Sequence, residues 1–280
     1  MSHRKAPFGG PLDLRVSPGQ RRRDDAEGGR ARAGASAGAA PASVLDSIER
    51  HAQHAKASHL LAREGDAAAA LLIIIEGWAR GYKITRSGDR QITEFLLPGD
   101  AVAPLCTTNR HMDYSIDALT PVRFAAIDQF RLQRMTEALP SFMAGVLQQQ
   151  AFRQALLREW LVNIGRRSAR ERIAYLLCEI FLRLRGRGLS ESNACPFPLT
   201  QVDIADAAGL TPVHVNRMLQ QMRRSGMIRQ DKSRLTIPDL KALQGLASID
   251  PRDLMLKHGL SVVPPLSRSL SAFGHWKRSV

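Results

Sequence analysis

The stretch LTQVDIADAAGLTPVHVNRMLQQMRRSG, residues 199–226, has the layout of two short helices joined by a tight turn. Gly209 stands in that turn, where the backbone needs a left-handed conformation that glycine adopts without a Cβ clash. Apolar or small side chains recur where two crossed helices must bury a shared face: Ile204, Ala205, Ala208, Leu210, Val215 and Met218. The pattern predicts a helix-turn-helix.

Both helices carry signals for where they start and stop. Thr200 can cap the first helix, with Asp203 three residues on, as in a capping box. Thr211 can cap the second, with Pro212 at the first helical position, where its missing N–H costs nothing. Ser225-Gly226 is a typical end for the second helix.

The charge distribution favours DNA as the partner of this motif, whose second helix enters the major groove in known cases. The chain has 40 Lys+Arg against 26 Asp+Glu, a net charge of +14. Residues 43–164 are neutral, with 13 basic and 13 acidic side chains, whereas residues 165–247 hold 14 and 7. Arginines that merely make the surface soluble do not account for this change in net charge at residue 165. We therefore expect a neutral sensor domain joined to a basic domain that binds double-stranded DNA.

Composition excludes several other classes of protein. Three cysteines without close spacing indicate neither a zinc site nor a disulfide framework and suit the reducing cytoplasm: Cys106, Cys178 and Cys195. The longest apolar run, residues 71–75, is far too short for a membrane span, and we expect no signal peptide and no membrane partner. No Gly-rich phosphate loop, nucleophile elbow or HExxH motif indicates an enzyme.

The chain divides into segments of different pattern, and we expect an α+β protein. Residues 43–64 suggest one or two short helices, and residues 67–131 read as short strands separated by glycine turns, typical of a small antiparallel β-roll. The expected order is a disordered basic arm at 1–42, a β-roll sensor domain at 43–138, a dimerisation helix at 139–164, a winged helix-turn-helix DNA-binding domain at 165–247 and a flexible tail at 248–280.

A long helix is expected from about residue 140 to 164. Seven residues at 4-3-4-3-4-3 spacing form a heptad seam: Met143, Leu147, Gln150, Gln154, Leu157, Leu161 and Ile164. An adjacent apolar stripe can pack on the roll: Phe142, Val146, Leu156 and Trp160. A seam beside a core stripe favours a homodimer, and one broad core face on a monomeric helix is the alternative.

The region around the helix-turn-helix contains three further elements. Residues 165–169 should break the long helix, and a second helix should run from about 168 to 185. Residues 186–198 read as a loop. IRQDKSRLTIP, residues 228–238, reads as two short strands around a basic turn, a wing whose Lys232 and Arg234 belong beside phosphates.

Together these stretches resemble the Crp/Fnr family of transcriptional regulators over roughly residues 43–247. The segments that carry the resemblance are the helix-turn-helix stretch, EGWARGYKI at 76–84, LLPGD at 96–100 and WLVNIGRRSARERIAYLLCEI at 160–180. The resemblance implies a homodimer that binds a palindromic promoter site and contacts RNA polymerase. Its switch would be a reorientation of the basic modules about a hinge near residues 163–167.

The family's DNA-contacting positions can be placed on this chain. The resemblance puts Thr211, Pro212, Val213 and Arg217 at phosphate- and base-facing places, with His214 and Asn216 as polar readers and Thr200 and Gln201 at the start of the preceding helix. Family members often have arginine and glutamate where Pro212 and Val213 stand. Those two side chains cannot hydrogen-bond a base edge, although Val213 could touch a thymine methyl. Arg217 is the best candidate for direct readout, with a phosphate contact as the alternative.

The effector site departs from the family pattern, and we expect no cofactor. In the cyclic-nucleotide branch an Arg-Ser pair faces the cyclic phosphate, and Met112 and Asp113 stand at those places here. A carboxylate facing a phosphate is repulsive, so the sequence predicts no tight cyclic AMP binding. Arg110, two residues earlier, is a possible substitute.

Metal-based sensing is also not expected. The arm lacks the cysteines that hold an iron–sulfur cluster in the oxygen-sensing branch, and three scattered thiols cannot supply four ligands. Three alternatives are possible, but no sequence motif supports them. They are haem ligation by His111, metal ligation by the loose group His51, His54 and His59, and a redox role for Cys106.

Two other functions compete with the sequence-specific regulator. One is a ligand sensor that acts mainly through protein–protein contact. The other is a basic protein that binds DNA without sequence choice, which would lose nearly all affinity as salt rises.

Overall fold

The computed structural model describes residues 42–102 and 111–249. The expected arm at 1–42 and tail at 248–280 lie almost entirely outside the described residues, as do Cys106 and Arg110. The described chain is α+β, as expected.

The first half is an antiparallel β-roll preceded by one helix, α1 (Ala42–Arg50). Two four-stranded sheets have the orders β1-β8-β3-β6 and β2-β7-β4-β5. Their strands are β1 (Ala52–Ala55), β2 (Leu60–Ala62), β3 (Ala70–Glu76), β4 (Ala79–Ile84), β5 (Arg90–Leu96), β6 (Ala101–Val102), β7 (Ser115–Ala118) and β8 (Val122–Asp128).

The expectation of one or two helices at 43–64 was correct only for α1. The segments that follow it are the strands β1 and β2. β1 pairs with β8, and β2 pairs with β7, so the partners supply the backbone hydrogen bonds that decide the structure. Strands of four and three residues are too short to show a period of their own, and pairing across the sheet overrides local preference.

Gly77 shows why this roll needs glycine at a turn. It has a φ of 78°, and a Cβ at this position would lie 2.1 Å from the carbonyl oxygen of Pro121. Only glycine permits both the left-handed backbone and the close approach of the two chains. The turn lets β3, whose apolar run lies in the core, continue directly into β4.

Three helices connect the roll to the second half: α2 (Gln129–Ala138), α3 (Pro140–Arg166) and α4 (Ala169–Gly186). The break between α3 and α4 is shorter than expected, because α3 continues through Gly165 and only Arg167 and Ser168 are non-helical. Ser168 and Glu171 form a reciprocal capping box that starts α4 sharply. Glycine alone, on an exposed helix face with open space around it, did not end the helix.

The second half contains the expected helix-turn-helix and wing. Its elements are β9 (Ala194–Pro196), α5 (Gln201–Ala208), α6 (Pro212–Arg224), β10 (Arg229–Asp231), β11 (Arg234–Thr236) and α7 (Leu240–Leu246). The expectation of a plain loop at 186–198 was wrong, because β9 pairs with β11 and completes a three-stranded sheet.

One hydrophobic cluster runs from the roll into the helical half. Trp78, Ile92 and Phe95 of the roll share it with Trp160 of α3 and with the buried stripe of α4. The rings of Phe95 and Trp160 have centroids 6.0 Å apart in a tilted arrangement. The β-roll and the helix-turn-helix are therefore packed on each other through a continuous apolar core.

Candidate nucleic-acid interface

The helix-turn-helix forms through the local signals that the sequence carries. The Thr200 hydroxyl accepts from the backbone N–H of Asp203 at 3.2 Å, and the Asp203 carboxylate accepts from the N–H of Thr200 at 2.9 Å. Gly209 has a φ of 62°, the left-handed turn that was predicted. Thr211 caps α6 by accepting from the N–H of His214 at 3.3 Å, with Pro212 in the first turn.

The shared face of α5 and α6 is buried as predicted. Its residues Ile204, Ala205, Ala208, Val215 and Met218 are all buried, and Leu210 is half-buried. The opposite side of α6 therefore faces outward. This arrangement leaves one face of α6 available to a groove.

The predicted DNA-contacting residues lie at the surface. Val213, at the start of α6, is 81% exposed. Further exposed members are Thr200, Gln201, Thr211, Pro212, Arg217, Lys232 and Arg234, whereas His214 and Asn216 are half-buried. The fold thus presents polar side chains on one exposed surface of α5 and α6 and on the wing. These side chains can donate hydrogen bonds to a DNA duplex or accept them from it.

Asn216 is held by two glutamines, one of which the sequence reasoning did not select. Its Oδ1 accepts from Gln201 Nε2 at 3.3 Å and from Gln220 Nε2 at 3.4 Å. Gln220 lies one turn after Asn216 on the exposed side of α6, and this i, i+4 spacing was the available signal. Three amides therefore form a connected polar row on the exposed face.

The wing is a tight hairpin with a basic tip. Asp231 pairs with Arg234, and Lys232 between them has a φ of 47°. Arg234 Nη2 donates to Glu191 at 2.5 Å, and both side chains are at least half exposed. An exposed ion pair contributes only about 0–1 kcal/mol, so a DNA phosphate can replace Glu191 as the partner of Arg234.

The predicted seam on α3 is only partly exposed. Leu147, Gln154, Leu157 and Leu161 face outward, and Leu161 is 73% exposed. Met143, Gln150 and Ile164 are half-buried: Met143 packs on the roll core, and Gln150 donates to the Ala101 carbonyl at 3.1 Å. The adjacent stripe of Phe142, Val146, Leu156 and Trp160 is buried as predicted.

A buried arginine fills the space between α3 and the roll. Arg153 Nε donates to Glu94 Oε2 at 2.8 Å, and Nη2 donates to the Tyr114 hydroxyl at 2.8 Å. Nη1 donates to the Ala101 carbonyl and to Gln150 Oε1, so all three nitrogens are engaged. Burial lowers the pKa of Arg153, but the charges of Glu94 and Tyr114 and their hydrogen bonds together outweigh burial and leave the pKa raised.

The two residues expected at the phosphate-facing places lie on different sides of the backbone. Met112 is buried in the core of the roll, and Asp113 is exposed. A buried thioether offers no donor to an anion.

A second buried polar cluster joins α4 to the turn before β6. Arg187 Nη2 and Arg183 Nη2 each donate to one oxygen of Asp100, both at 2.6 Å. Arg183 also donates to Glu179 at 2.8 Å, and Trp160 Nε1 donates to the other Glu179 oxygen at 3.0 Å. The sequence reasoning missed this cluster, although Asp100 belongs to the LLPGD segment that it singled out.

Comparison with known proteins agrees with this architecture. Residues 52–138 match the cyclic nucleotide-binding domain, and residues 171–246 match the Crp-like helix-turn-helix domain. The transcriptional activatory protein AadR of Rhodopseudomonas palustris is 30% identical over 210 residues, which cover 74% of this chain and 82% of AadR. The nitrogen fixation regulation protein FixK of Bradyrhizobium diazoefficiens is 29% identical over 198 residues, covering 70% of this chain and 81% of FixK.

The chain belongs to the Crp/Fnr family of transcriptional regulators. The solved structure of FixK2 from Bradyrhizobium japonicum has the same fold, with a TM-score of 0.63 at 21% identity over 71% of this chain and 98% of that one. Both of these relatives are described as regulatory proteins.

Within the described residues of this Crp/Fnr regulator, no group of three or more His, Cys, Asp or Glu side chains is arranged to hold a metal ion. Cys178 and Cys195 are buried, and burial raises the pKa of each thiol to about 12. Among the helices of residues 42–102 and 111–249, none has the length and apolar character that a bilayer crossing requires.

Proposed function

We propose that this Crp/Fnr regulator binds a palindromic promoter site as a homodimer, with α6 of each protomer in the major groove. The proposal rests on the outward face of α6. This helix is capped by Thr211 and carries Val213, Asn216 and Arg217 on that face. Helix-turn-helix dimers place two such helices about one helical turn of DNA apart, which matches a symmetric site.

The homodimer is supported by the outer face of α3. Leu157 and Leu161 are 47% and 73% exposed, with Leu147 about three turns before Leu157 at 55%. Three leucines along one helix form an apolar stripe that a second copy of the same helix would cover in a two-fold contact. The half-buried members Met143, Gln150 and Ile164 would then lie at the edge of that contact.

The half-site should differ from those of family members that have arginine and glutamate in place of Pro212 and Val213. We propose that Val213 contacts a thymine methyl, while Arg217 donates to a guanine. Asn216, held by Gln201 and Gln220, stands beside them as a further reader.

We also propose that the protein does not respond to cyclic AMP and works without a cofactor. Arg153 is fully engaged by Glu94, Tyr114, Gln150 and the Ala101 carbonyl, so a phosphate would have to displace Glu94 to reach the guanidinium. Isothermal titration with cyclic AMP should give no heat of binding; micromolar affinity would contradict this part of the proposal.

The regulatory output would follow from contact with RNA polymerase in the cytoplasm, where promoter DNA is located. The relative AadR is described as a transcriptional activatory protein, which supports activation. Transcription in vitro from the selected site should rise when the protein is added to polymerase.

The decisive experiment is selection of bound fragments from a random DNA pool at physiological salt. We expect an inverted repeat with half-site centres one helical turn apart. Arg217→Ala should then relax preference at one base position per half-site by about 1–3 kcal/mol. Arg224→Ala is the matched control, because Arg224 is also exposed on α6 but lies in its last turn. A uniform loss over all sequences would make Arg217 a phosphate contact, and recovery of no preferred sequence would refute the proposal.

A further inference from the structure

The hairpin formed by β4 and β5 contacts α5 through a set of polar bonds that the sequence motifs do not account for. Arg80 in β4 binds Asp117 of β7 with both ends of its guanidinium, Nε to Oδ1 at 2.7 Å and Nη2 to Oδ2 at 3.0 Å. The remaining nitrogen, Nη1, donates to Asp203 in α5. The side chains of Arg80, Asp117 and Asp203 are all nearly buried, so this arginine links the roll to the first helix of the helix-turn-helix.

Two neighbours on β5 extend the link along the same face of α5. Arg90 Nε donates to Asp206 Oδ2 at 2.8 Å, and Gln91 Nε2 donates to the Ala207 carbonyl at 3.2 Å. Residues 203, 206 and 207 are spaced by three and four, so they lie on one side of the helix. We call this set, Arg80, Arg90 and Gln91 with Asp203, Asp206 and the Ala207 carbonyl, the hairpin–α5 contact.

Asp203 has a second task that makes its bond to Arg80 consequential. Its Oδ2 accepts from the N–H and the hydroxyl of Thr200 at 2.9 and 2.6 Å and so starts α5, while Oδ1 faces Arg80. The helix α5 in turn contacts the reading helix through Gln201 and Asn216. A rotation of α5 away from the hairpin would therefore carry the reading face of α6 with it.

We propose that Arg80 and Arg90 are positioning residues for DNA binding: from the sensor half, they fix the orientation in which the helix-turn-helix meets the duplex. The inference rests on the proposed function. With the contact formed, Thr211, Val213 and Arg217 are exposed, so the fixed orientation is one in which the reading face is open. Losing the contact would let the DNA-binding half sample other orientations about the break at Arg167 and Ser168, and only a fraction of molecules would then be competent to bind.

The chain contains a matched control for Arg80. Arg123 also bridges two carboxylates, donating from Nη2 to Glu76 at 2.8 Å and from Nη1 to Glu49. Glu49 belongs to α1 and Glu76 to β3, so this bridge joins elements of the first half of the chain and not α5. Arg80→Gln and Arg123→Gln therefore remove the same kind of bridge, and only the first severs the link to α5.

The test compares the affinity of the full-length variants for the selected DNA site by fluorescence anisotropy, together with thermal unfolding. Arg80→Gln should bind about fivefold or more weakly with the same base preference, a change within the usual range of coupling between sites. Arg123→Gln should keep the wild-type affinity even if its unfolding temperature falls. Equal affinities in the two variants, or tighter binding by Arg80→Gln, would overturn the inference.

A charge exchange at the half-buried pair Arg90 and Asp206 covers the case in which Arg80→Gln does not fold. Arg90→Glu should weaken binding by facing Asp203 and Asp206 with a like charge, and Arg90→Glu with Asp206→Arg should restore it. A double variant no better than the single one would overturn the inference. A wild-type protein without sequence preference would refute the proposed function and this inference together, whereas a specific wild type with unaffected variants would refute only the inference.

Discussion

Arg187 near the end of α4 donates to Asp100 in the turn before β6 at 2.6 Å, although the two residues are 87 positions apart. Arg183, one turn earlier in α4, takes the other carboxylate oxygen, and the Leu97 N–H adds a third donor at 2.6 Å. Both arginine side chains and the carboxylate are almost completely buried. One carboxylate of the β-roll therefore binds two guanidinium groups from the helical half, and Glu179 supplies a second negative charge beside Arg183.

Removing that carboxylate should be severe. Asp100→Ala removes the carboxylate that both buried guanidinium groups share, although Arg183 keeps its bond to Glu179. Breaking a buried pair in this way typically costs about 3–5 kcal/mol. Chemical denaturation followed by circular dichroism measures the loss. Asp46→Ala, on an exposed position of α1, is the control and should change stability by less than about 0.5 kcal/mol. If both variants lose a similar free energy of unfolding, the Asp100 cluster stabilises the fold no more than an exposed carboxylate does.

Stability should fall in acid, and Asp100 should contribute to the fall. Burial raises the pKa of Asp100, but the charges of Arg187 and Arg183 and the hydrogen bonds from Arg187 and the Leu97 N–H together outweigh burial and leave the pKa below its ordinary value of 3.8. A folded-state pKa below the unfolded one means that the unfolded chain binds the proton first. The contribution is therefore fully present above pH 3.8 and is lost as pH falls below it towards the folded-state pKa. Unfolding free energies measured from pH 7 down to about pH 2 should drop more steeply below pH 3.8 for the wild type than for Asp100→Asn; parallel curves would contradict the assignment.

The outer face of α3 should control the oligomeric state. Leu161→Glu places a charge within the proposed two-fold contact, at its most exposed leucine, so we expect a dimer to become a monomer in light scattering. Affinity for the palindromic site should fall roughly 100-fold or more, because the two half-sites are then bound independently.

Phe130→Glu serves as the control for that variant. Phe130 on α2 is 69% exposed, close to the 73% of Leu161, and it lies outside α3. It should leave the dimer intact. A wild-type protein that is already monomeric, or a dimeric Leu161→Glu variant, would count against the α3 contact.

Thiol chemistry should be restricted in the folded protein. Cys178 and Cys195 are buried, and burial raises the pKa of each thiol to about 12, so neither forms a reactive thiolate near neutral pH. Labelling with an aromatic disulfide reagent at pH 8 should therefore modify at most one thiol per chain, and none in Cys106→Ser. All three should react after unfolding in guanidinium. Rapid labelling of two or more thiols in the native protein would contradict the packing around α4 and β9.

Local signals account for what could be predicted from the sequence. The caps Thr200 and Thr211, the turn at Gly209 and the wing around Lys232 each depend on residues within a few positions of one another, and all are present. The stripe of α3 that packs inward was readable for the same reason, since helical spacing records which face is buried.

Pairings between distant segments explain what could not be predicted. The strands β1, β2 and β9 are short and take their structure from partners far along the chain. The bond from Arg80 to Asp203 spans 123 positions in the sequence. An arginine in a short strand is usually exposed, so the sequence does not indicate that Arg80 has a buried partner. Charges that neutralise one another across such distances leave no periodic trace in the sequence.

The apolar cluster shared by Trp78, Phe95 and Trp160 has a practical consequence for dissecting the molecule. A truncated polypeptide that contains only the C-terminal half would expose the apolar surface that packs on Trp78 and Phe95 of the roll. Its Arg183 and Arg187 would also lack their bonds to Asp100. Such a fragment should self-associate on expression, and domain-by-domain studies would then report on aggregates instead of on the regulator.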